Sequence, residues 1–315
     1  SINMDKLRKV GLTALAGTFA IGSAQALEMT ASGSAGFTYS SKDSDEVNGE
    51  RFSFGDSVTL SGSGETEEGW TVTASYELDD GNSPYDDQTV SVDTGNGVFY
   101  IQTNADKGGH NRLVPNVYGS AAYSLSNGVG TETGKHLADG VTGTTNLAYT
   151  NSDIAGMDVG IAISPGATGG TDTVLKLKKA DVIDGLTLAA SWGEINPSDP
   201  NNESQEITLS ASYAVGGVTL GFTDTAIDQA AASSSDIDAT HIGASFSVND
   251  NLSVSIDRST ADNAKQSVDE ETTSYQAAYT MGSMSIKVHL TKADNVGYSS
   301  TTTDENKAVA VSFSF

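Results

Sequence analysis

Residues 207–222 read ITLSASYAVGGVTLGF. Ile207, Leu209, Ala211, Tyr213 and Val215 are apolar or small at every second position, with Thr208, Ser210 and Ser212 between them. After Gly216-Gly217 the alternation restarts at Val218, Leu220 and Phe222. A side-chain period of two with one apolar face is the signature of a β-strand, and two glycines between such runs mark a hairpin turn.

The pattern extends in both directions. Downstream, Ile242, Ala244, Phe246 and Val248 meet Leu252, Val254 and Ile256 across Asn249-Asp250-Asn251. Tyr275, Ala277, Tyr279 and Met281 meet Met284, Ile286, Val288 and Leu290 across Gly282-Ser283, and the chain closes on Val309, Val311, Phe313 and Phe315. Upstream, Leu175 and Leu177 pair with Leu186, Leu188, Ala190 and Trp192, and Met157, Val159, Ile161 and Ile163 alternate after Leu147 and Tyr149. A Gly95-Asn96-Gly97 turn joins Val90 and Val92 to Val98 onward, and the first strands carry Leu27 to Tyr39 on odd positions, then Phe52, Phe54, Val58 and Leu60 on even ones.

About sixteen such strands follow one another, with short turns alternating with long loops, and an even strand count with that alternation is the topology of a transmembrane β-barrel. The tight turns fall near Glu65, Gly95, Asp153, Val182, Gly216, Asn249 and Gly282. The long polar loops include Glu194 to Ser204, Thr225 to Asp238 and Arg258 to Glu271. No fixed repeat period suggests a solenoid, and each strand offers an apolar face with no shared core to bury it. The fold expected is therefore all-β, an antiparallel barrel whose apolar faces meet lipid and whose closure leaves no bare backbone in hydrocarbon. Trp70, Trp192, Tyr39, Phe37, Tyr213 and Tyr275 are placed near strand ends, where interfacial aromatic girdles belong.

Composition agrees. The 315 residues carry no Cys and a formal net charge of -25. Lys6, Arg8 and Lys9, then the apolar Val10 to Ile21, then Ala24-Gln25-Ala26 read as an export signal with a small-x-small cleavage site. Residues 1–26 are thus a signal peptide with a short N-terminal extension, and 27–315 a single barrel domain. After that segment no apolar run approaches the ~20 residues of a membrane helix. Removing Asp5, Lys6, Arg8 and Lys9 leaves 13 basic against 40 acidic side chains, a balance of -27. Such a chain excludes nucleic acid as a partner and attracts cations.

The alternation lapses from Asn104 to Thr144, about forty residues, far longer than an ordinary connection. Charge concentrates there in Asp106, Lys107, His110, Arg112, Glu132, Lys135, His136 and Asp139, with Leu113, Val114, Pro115 and Tyr118 between them. The expectation is that this segment folds into the lumen and narrows it.

Taken together, the export signal, the strand count, Leu60-Ser61-Gly62-Ser63-Gly64 in an early strand, the long loop after the fifth strand and the terminal Val311-Ser312-Phe313-Ser314-Phe315 resemble the general bacterial porins, particularly the alphaproteobacterial trimeric kind. The resemblance spans Leu27 to Phe315. It implies an outer-membrane location, a homotrimer, a third long loop (104–144) forming the constriction, and a C-terminal Phe315 read by the barrel-assembly machinery. That family sets acidic loop residues against basic residues on the wall. The acids would be Asp106, Glu132 and Asp139. Strand parity points Arg51, Lys176, Lys178, Lys287, His241 and His289 inward, and Arg258 and Lys307 outward.

The function expected is passive passage of small hydrophilic solutes and ions through a cation-preferring pore, with no cofactor required. A sugar-specific channel is the nearest alternative. It would need inward aromatics, of which only Tyr118 and Tyr123 break the outward rule. A plugged barrel acting as an adhesin is the third class. An enzyme is not expected: the four His lack a strained nucleophile turn, and Gly130 to His136 lacks the spacing and the hydroxyl of a phosphate loop. Asp43 and Asp45, and Asp86 and Asp87, are oxygen-rich and would suit Ca²⁺ as a structural ion bridging loops or lipopolysaccharide phosphates, although a solvated acidic surface is the better account of them.

Overall fold

The computed structural model describes residues 28–44, 49–79, 87–103, 112–119, 145–165, 171–195, 203–230 and 236–315. They contain sixteen strands: β1 (Glu28–Ser44), β2 (Gly49–Glu65), β3 (Thr71–Asp79), β4 (Gln88–Asp93), β5 (Val98–Thr103), β6 (Thr145–Ile154), β7 (Met157–Pro165), β8 (Thr171–Lys179), β9 (Leu186–Ile195), β10 (Ser204–Val215), β11 (Val218–Gln229), β12 (Ile237–Ser247), β13 (Leu252–Asn263), β14 (Glu270–Met281), β15 (Met284–Asp294) and β16 (Thr303–Ser314). Each pairs antiparallel with its sequence neighbours and β1 pairs with β16, so the sheet closes on itself. Residues 1–26, with the expected signal, lie outside the described residues.

The two faces separate as the period of two requires. In β10, Ile207 and Leu209 are 52% and 54% exposed while Thr208 between them is 0% exposed. The same contrast sets outward Phe222 against inward Thr223, and outward Ile256 against inward Asp257. Apolar side chains exposed on the convex face and polar ones packed on the concave face describe a barrel whose outer solvent is lipid. A sixteen-stranded barrel is too wide for its own side chains to fill.

The hairpin turns carry their expected chemistry. The Gly216 and Gly282 backbones sit at φ 58 and φ 59, the left-handed region that a two-residue hairpin turn needs and that glycine reaches without a Cβ clash.

Two sequence expectations shift. The long loops are shorter than read, because β11 runs on to Gln229 and β13 to Asn263, while β9 takes in Glu194 and Ile195. These extensions carry polar residues on both faces, so their hydrogen-bonded ladder continues where the apolar alternation stops. For the same reason Phe37, Tyr39 and Tyr275 lie within strands and not at their ends. Along outward β14, Tyr279 and Tyr275 give way to Glu271, so the aromatics mark the edge of the apolar belt, not of the strand. Beyond that edge the outer face carries the pairs Arg258 Nη2–Glu271 Oε2 (2.6 Å), Lys292 Nζ–Asp294 Oδ1 (2.7 Å) and Lys307 Nζ–Glu305 Oε1 (2.5 Å), with Arg258 and Lys307 outward as their parity requires. Exposed pairs of this kind add little stability; they show where lipid ends.

Closure rests on the C-terminus. The Gly33 N–H donates to Phe315 O and the Phe315 N–H to Gly33 O, both at 2.9 Å, extending the Ser34↔Ser314 register by a further residue. A Cβ at Gly33 would stand 2.7 Å from the Phe315 ring and 2.6 Å from Ser57 O, so only glycine admits the ring there. Gly33→Val should therefore weaken closure by about 1–3 kcal/mol, the usual cost of overpacking. It should lower the temperature at which the folded, fast-migrating band converts on a denaturing gel. Gly62→Ala, which meets only Met29 Cγ at 3.9 Å, should leave it unchanged. Equal melting of Gly33→Val and wild type would refute this account of closure.

Candidate functional site

A short stretch of the long connection between β5 and β6, Arg112–Gly119, lies against the concave face of β11 to β15. The Leu113 N–H donates to Thr223 Oγ1 (3.4 Å), the Val117 N–H to Ser255 Oγ (3.1 Å), and the Tyr118 N–H to Gln276 Oε1 (3.2 Å). Asn116 Nδ2 donates to Asp257 Oδ2 (3.1 Å), and Lys287 Nζ donates to Tyr118 O (3.2 Å). Each such bond contributes about 0.5–1.5 kcal/mol net. Thr223 sits on β11, Ser255 and Asp257 on β13, Gln276 on β14 and Lys287 on β15, so the stretch is a strap laid across the inner wall.

Two glycines make the seat. A Cβ at Gly221 would fall 2.5 Å from Leu113 O and 2.6 Å from Val114 Cα, and one at Gly243 would fall 2.6 Å from Val114 Cγ1. Val114 is accordingly buried. Glycine at an inward strand position marks a close approach by another segment, and here that segment is the strap.

Beneath the strap the wall is a polar network. Asp257 is buried and accepts from Gln276 Nε2 (2.6 Å) and Asn116 Nδ2, with His241 Nε2 at 3.4 Å. Neighbouring hydroxyls pair across strands, Ser210 with Thr223 (2.9 Å) and Ser274 with Thr291 (2.8 Å). A buried carboxylate is tolerable because amide donors satisfy it. His289 donates to or accepts from Thr291 Oγ1 through Nδ1 (3.0 Å) and meets the Tyr118 ring edge-on at 4.3 Å between centroids. Burial raises the Tyr118 phenol above its ordinary value of 10.0, so the ring is neutral at physiological pH and brings no charge to the strap.

The structure places the nominated residues unevenly. Lys176, Lys178, Lys287, His241 and His289 hold inward strand positions, as does the exposed Arg51 near the start of β2. Lys178 pairs with inward Asp158 at 3.1 Å, and Lys287 is engaged by the strap. Arg112 opens the strap. Asp106, Lys107, His110, Glu132, Lys135, His136, Asp139 and Tyr123 lie outside the described residues, as do Asp45 and Asp86. Asp43 is exposed next to the last residue of β1, and Asp87 precedes β4. Among the described residues no group of three or more His, Cys, Asp or Glu is arranged to hold a metal.

Sequence reasoning missed Asn116, Ser255, Asp257 and Gln276, and it missed one inward aromatic. Tyr100 faces in from β5, packed on the buried Ala148, Ala162 and Val174. The signal that was available is the break in parity: Gly221 and Gly243 stand where neighbouring inward positions carry Thr, Ser or His.

A closed barrel with a lipid-facing belt, a polar interior and an internal strap defines an outer-membrane channel protein. The model of the Gram-negative porin family matches residues 11–314, and the chain belongs to that family. Solved structures share the fold at low identity. OmpF of Salmonella typhi in complex with daunomycin superposes with TM-score 0.70 at 13% identity, covering 92% of this chain and 98% of that one. The anion-selective porin of Comamonas acidovorans gives 0.67 at 12%, covering 92% and 100%. The outer-membrane channel DcaP of Acinetobacter baumannii gives 0.66 at 10%, covering 92% and 97%. No curated protein matches the chain.

If Val114 is seated by the missing Cβ atoms, Gly243→Val should lift the strap while the barrel stays folded. Conductance should then change in size or become noisy. Gly55→Ala, with nothing within 4 Å of the added carbon, should conduct as wild type. A quiet, unchanged Gly243→Val channel would contradict the seating.

Proposed function

We propose that the protein is a general diffusion channel of the outer membrane, passing small hydrophilic solutes passively and preferring cations to anions. The observation that carries this reading is the strap: part of the long connection runs inside the barrel along a polar wall and is held there, a geometry that narrows a wide lumen. Charged rings at a narrowing set ion preference. The same fold is shared with a porin described as anion-selective, so the sign of selectivity must come from lining residues, not from the barrel. Here inward Asp172, Glu206, Asp257 and Glu270 add to a formal charge of -25. Asp106, Glu132 and Asp139 complete the reading as the acids of the narrowest point, opposed only thinly by wall cations, since Lys178 and Lys287 are already partnered.

The rival sugar-specific channel would guide substrate along an inward aromatic ladder. Among the described strands only Tyr100 faces in, and it packs against an apolar cluster; no ladder is built. No catalytic step belongs to the reading, and we read the acids of the first loops, Asp43, Asp45, Asp86 and Asp87, as a solvated surface, with a Ca²⁺ bridge to lipopolysaccharide the alternative. Export through residues 1–26 and recognition of Phe315 by the barrel-assembly machinery are part of the proposal. So is a homotrimer. Strands β4 and β5 have 6 residues each, short of the ~9–11 that a tilted strand needs to cross the hydrocarbon, so a neighbouring subunit would cover that arc better than lipid.

The test is the reversal potential of the purified protein in a planar bilayer under a potassium chloride gradient. Wild type should reverse on the cation side, and the triple variant Asp106→Asn, Glu132→Asn, Asp139→Asn should move towards zero. An unchanged reversal potential would remove those residues from the constriction.

A further inference from the structure

The inner wall is open on one arc and covered on the other. On β10 to β15 the inward hydroxyls away from the hairpin turns are shut away, with Thr208, Ser274 and Thr291 each 0% exposed, while those nearer the turns, such as Ser212 and Ser285, are half-buried. On β1 to β4 no described inward hydroxyl is buried: Thr30 is exposed and Ser61, Ser75 and Thr89 are half-buried. Those four side chains form one cross-strand row, since Thr30 pairs with Ser61, Ser61 with Ser75, and Ser75 with Thr89. Ser61 Oγ donates to Ser75 Oγ at 3.0 Å, so the row is laterally knitted. It runs on through Gln102 and Asn146, which are hydrogen-bonded at 2.8 Å but buried. The openness therefore ends where β4 gives way to β5.

We propose that solutes cross the barrel along the β1–β4 arc, over this uncharged hydroxyl row, and that the channel therefore takes neutral polyhydroxylated solutes and cations and has no wall cation to hold an anion there. This deepens the diffusion-channel reading and rests on it. The chemistry follows from the row's composition. Hydroxyls both donate and accept, so they exchange hydrogen bonds with a sugar or polyol as water does, without a fixed charge. An inward carboxylate stands close to the row: Glu77 lies one rung from Ser75 on β3, opposite Thr59. The arc's inward cations stand at the far ends of their strands: Arg51 on β2 opposite Ser40, and Lys42 on β1, which pairs with Asp304 at 3.7 Å. An anion passing the row meets repulsion from Glu77 and no compensating partner. A cation is drawn, and a neutral polyol is indifferent to both.

The chain has no Cys, so single cysteines can be read against a silent background. Ser61→Cys and Ser75→Cys on the open arc, and Ser274→Cys and Thr291→Cys on the covered one, are recorded in planar bilayers. Each is then exposed to a trimethylammonium-bearing and a sulfonate-bearing methanethiosulfonate. Heat-modifiable mobility confirms that each variant is folded. The expected result is loss of conductance in the two arc variants, faster with the cationic reagent, and none in the two covered ones. A further variant, Ser61→Arg, should shift the reversal potential towards anions and slow a cationic amine relative to a neutral sugar of similar size in liposome swelling.

Reaction at Ser274→Cys or Thr291→Cys, or a conducting Ser61→Cys channel that ignores both reagents, would overturn the proposed path while leaving the channel reading intact. Equal rates for the two reagents on the arc would overturn the assigned preference. A folded wild type that conducts nothing would sink both together.

Discussion

Everything in this molecule depends on the rule that a backbone N–H or C=O in hydrocarbon must find a partner within the protein. An unpaired group there costs several kcal/mol, and a sheet has two edges lined with them. The chain removes both edges by pairing β1 with β16, and it does so down to the last residue, where Phe315 and Gly33 exchange backbone hydrogen bonds. The glycine at position 33 serves that closure, because any side chain would meet the terminal ring.

Closure forces two solvents on one sheet. Outside, lipid selects apolar side chains up to the level where Arg258, Lys292 and Lys307 find carboxylate partners. Inside, sixteen strands leave a lumen that side chains cannot fill, so a segment of chain is brought in and must be fastened. The fastening is polar, strap backbone to wall hydroxyl and amide, with a single apolar knob, Val114, seated over Gly221 and Gly243. Laying the strap on β11 to β15 commits that arc of the wall to packing and leaves the hydroxyl row of β1 to β4 uncovered by it. One constraint on the backbone thus leads to an asymmetric pore.

Much of this was legible in the sequence because the strand signal is local. A period of two sorts Ile207 from Thr208 without reference to any distant residue, and Gly216-Gly217 or Gly282-Ser283 announces its own turn. The same parity turns Lys176 and Lys287 inward and Arg258 outward. It failed where the ladder outlives the apolar belt: Thr225 to Gln229 and Arg258 to Asn263 alternate nothing, yet remain paired strand. The docking of the strap was illegible for a different reason. Asn116 and Asp257 are 141 residues apart, and nothing local announces their meeting. Only the pair of inward glycines hinted that something rests on the wall.

The central claim is that the barrel encloses a continuous water path. Single-channel recording of the purified wild-type protein in a planar bilayer tests it most directly. The account predicts discrete, ohmic steps that last as long as the potential is held. A bilayer that stays sealed over protein shown to be inserted and folded would contradict it, and would mean that the strap and its neighbours plug the barrel instead of narrowing it.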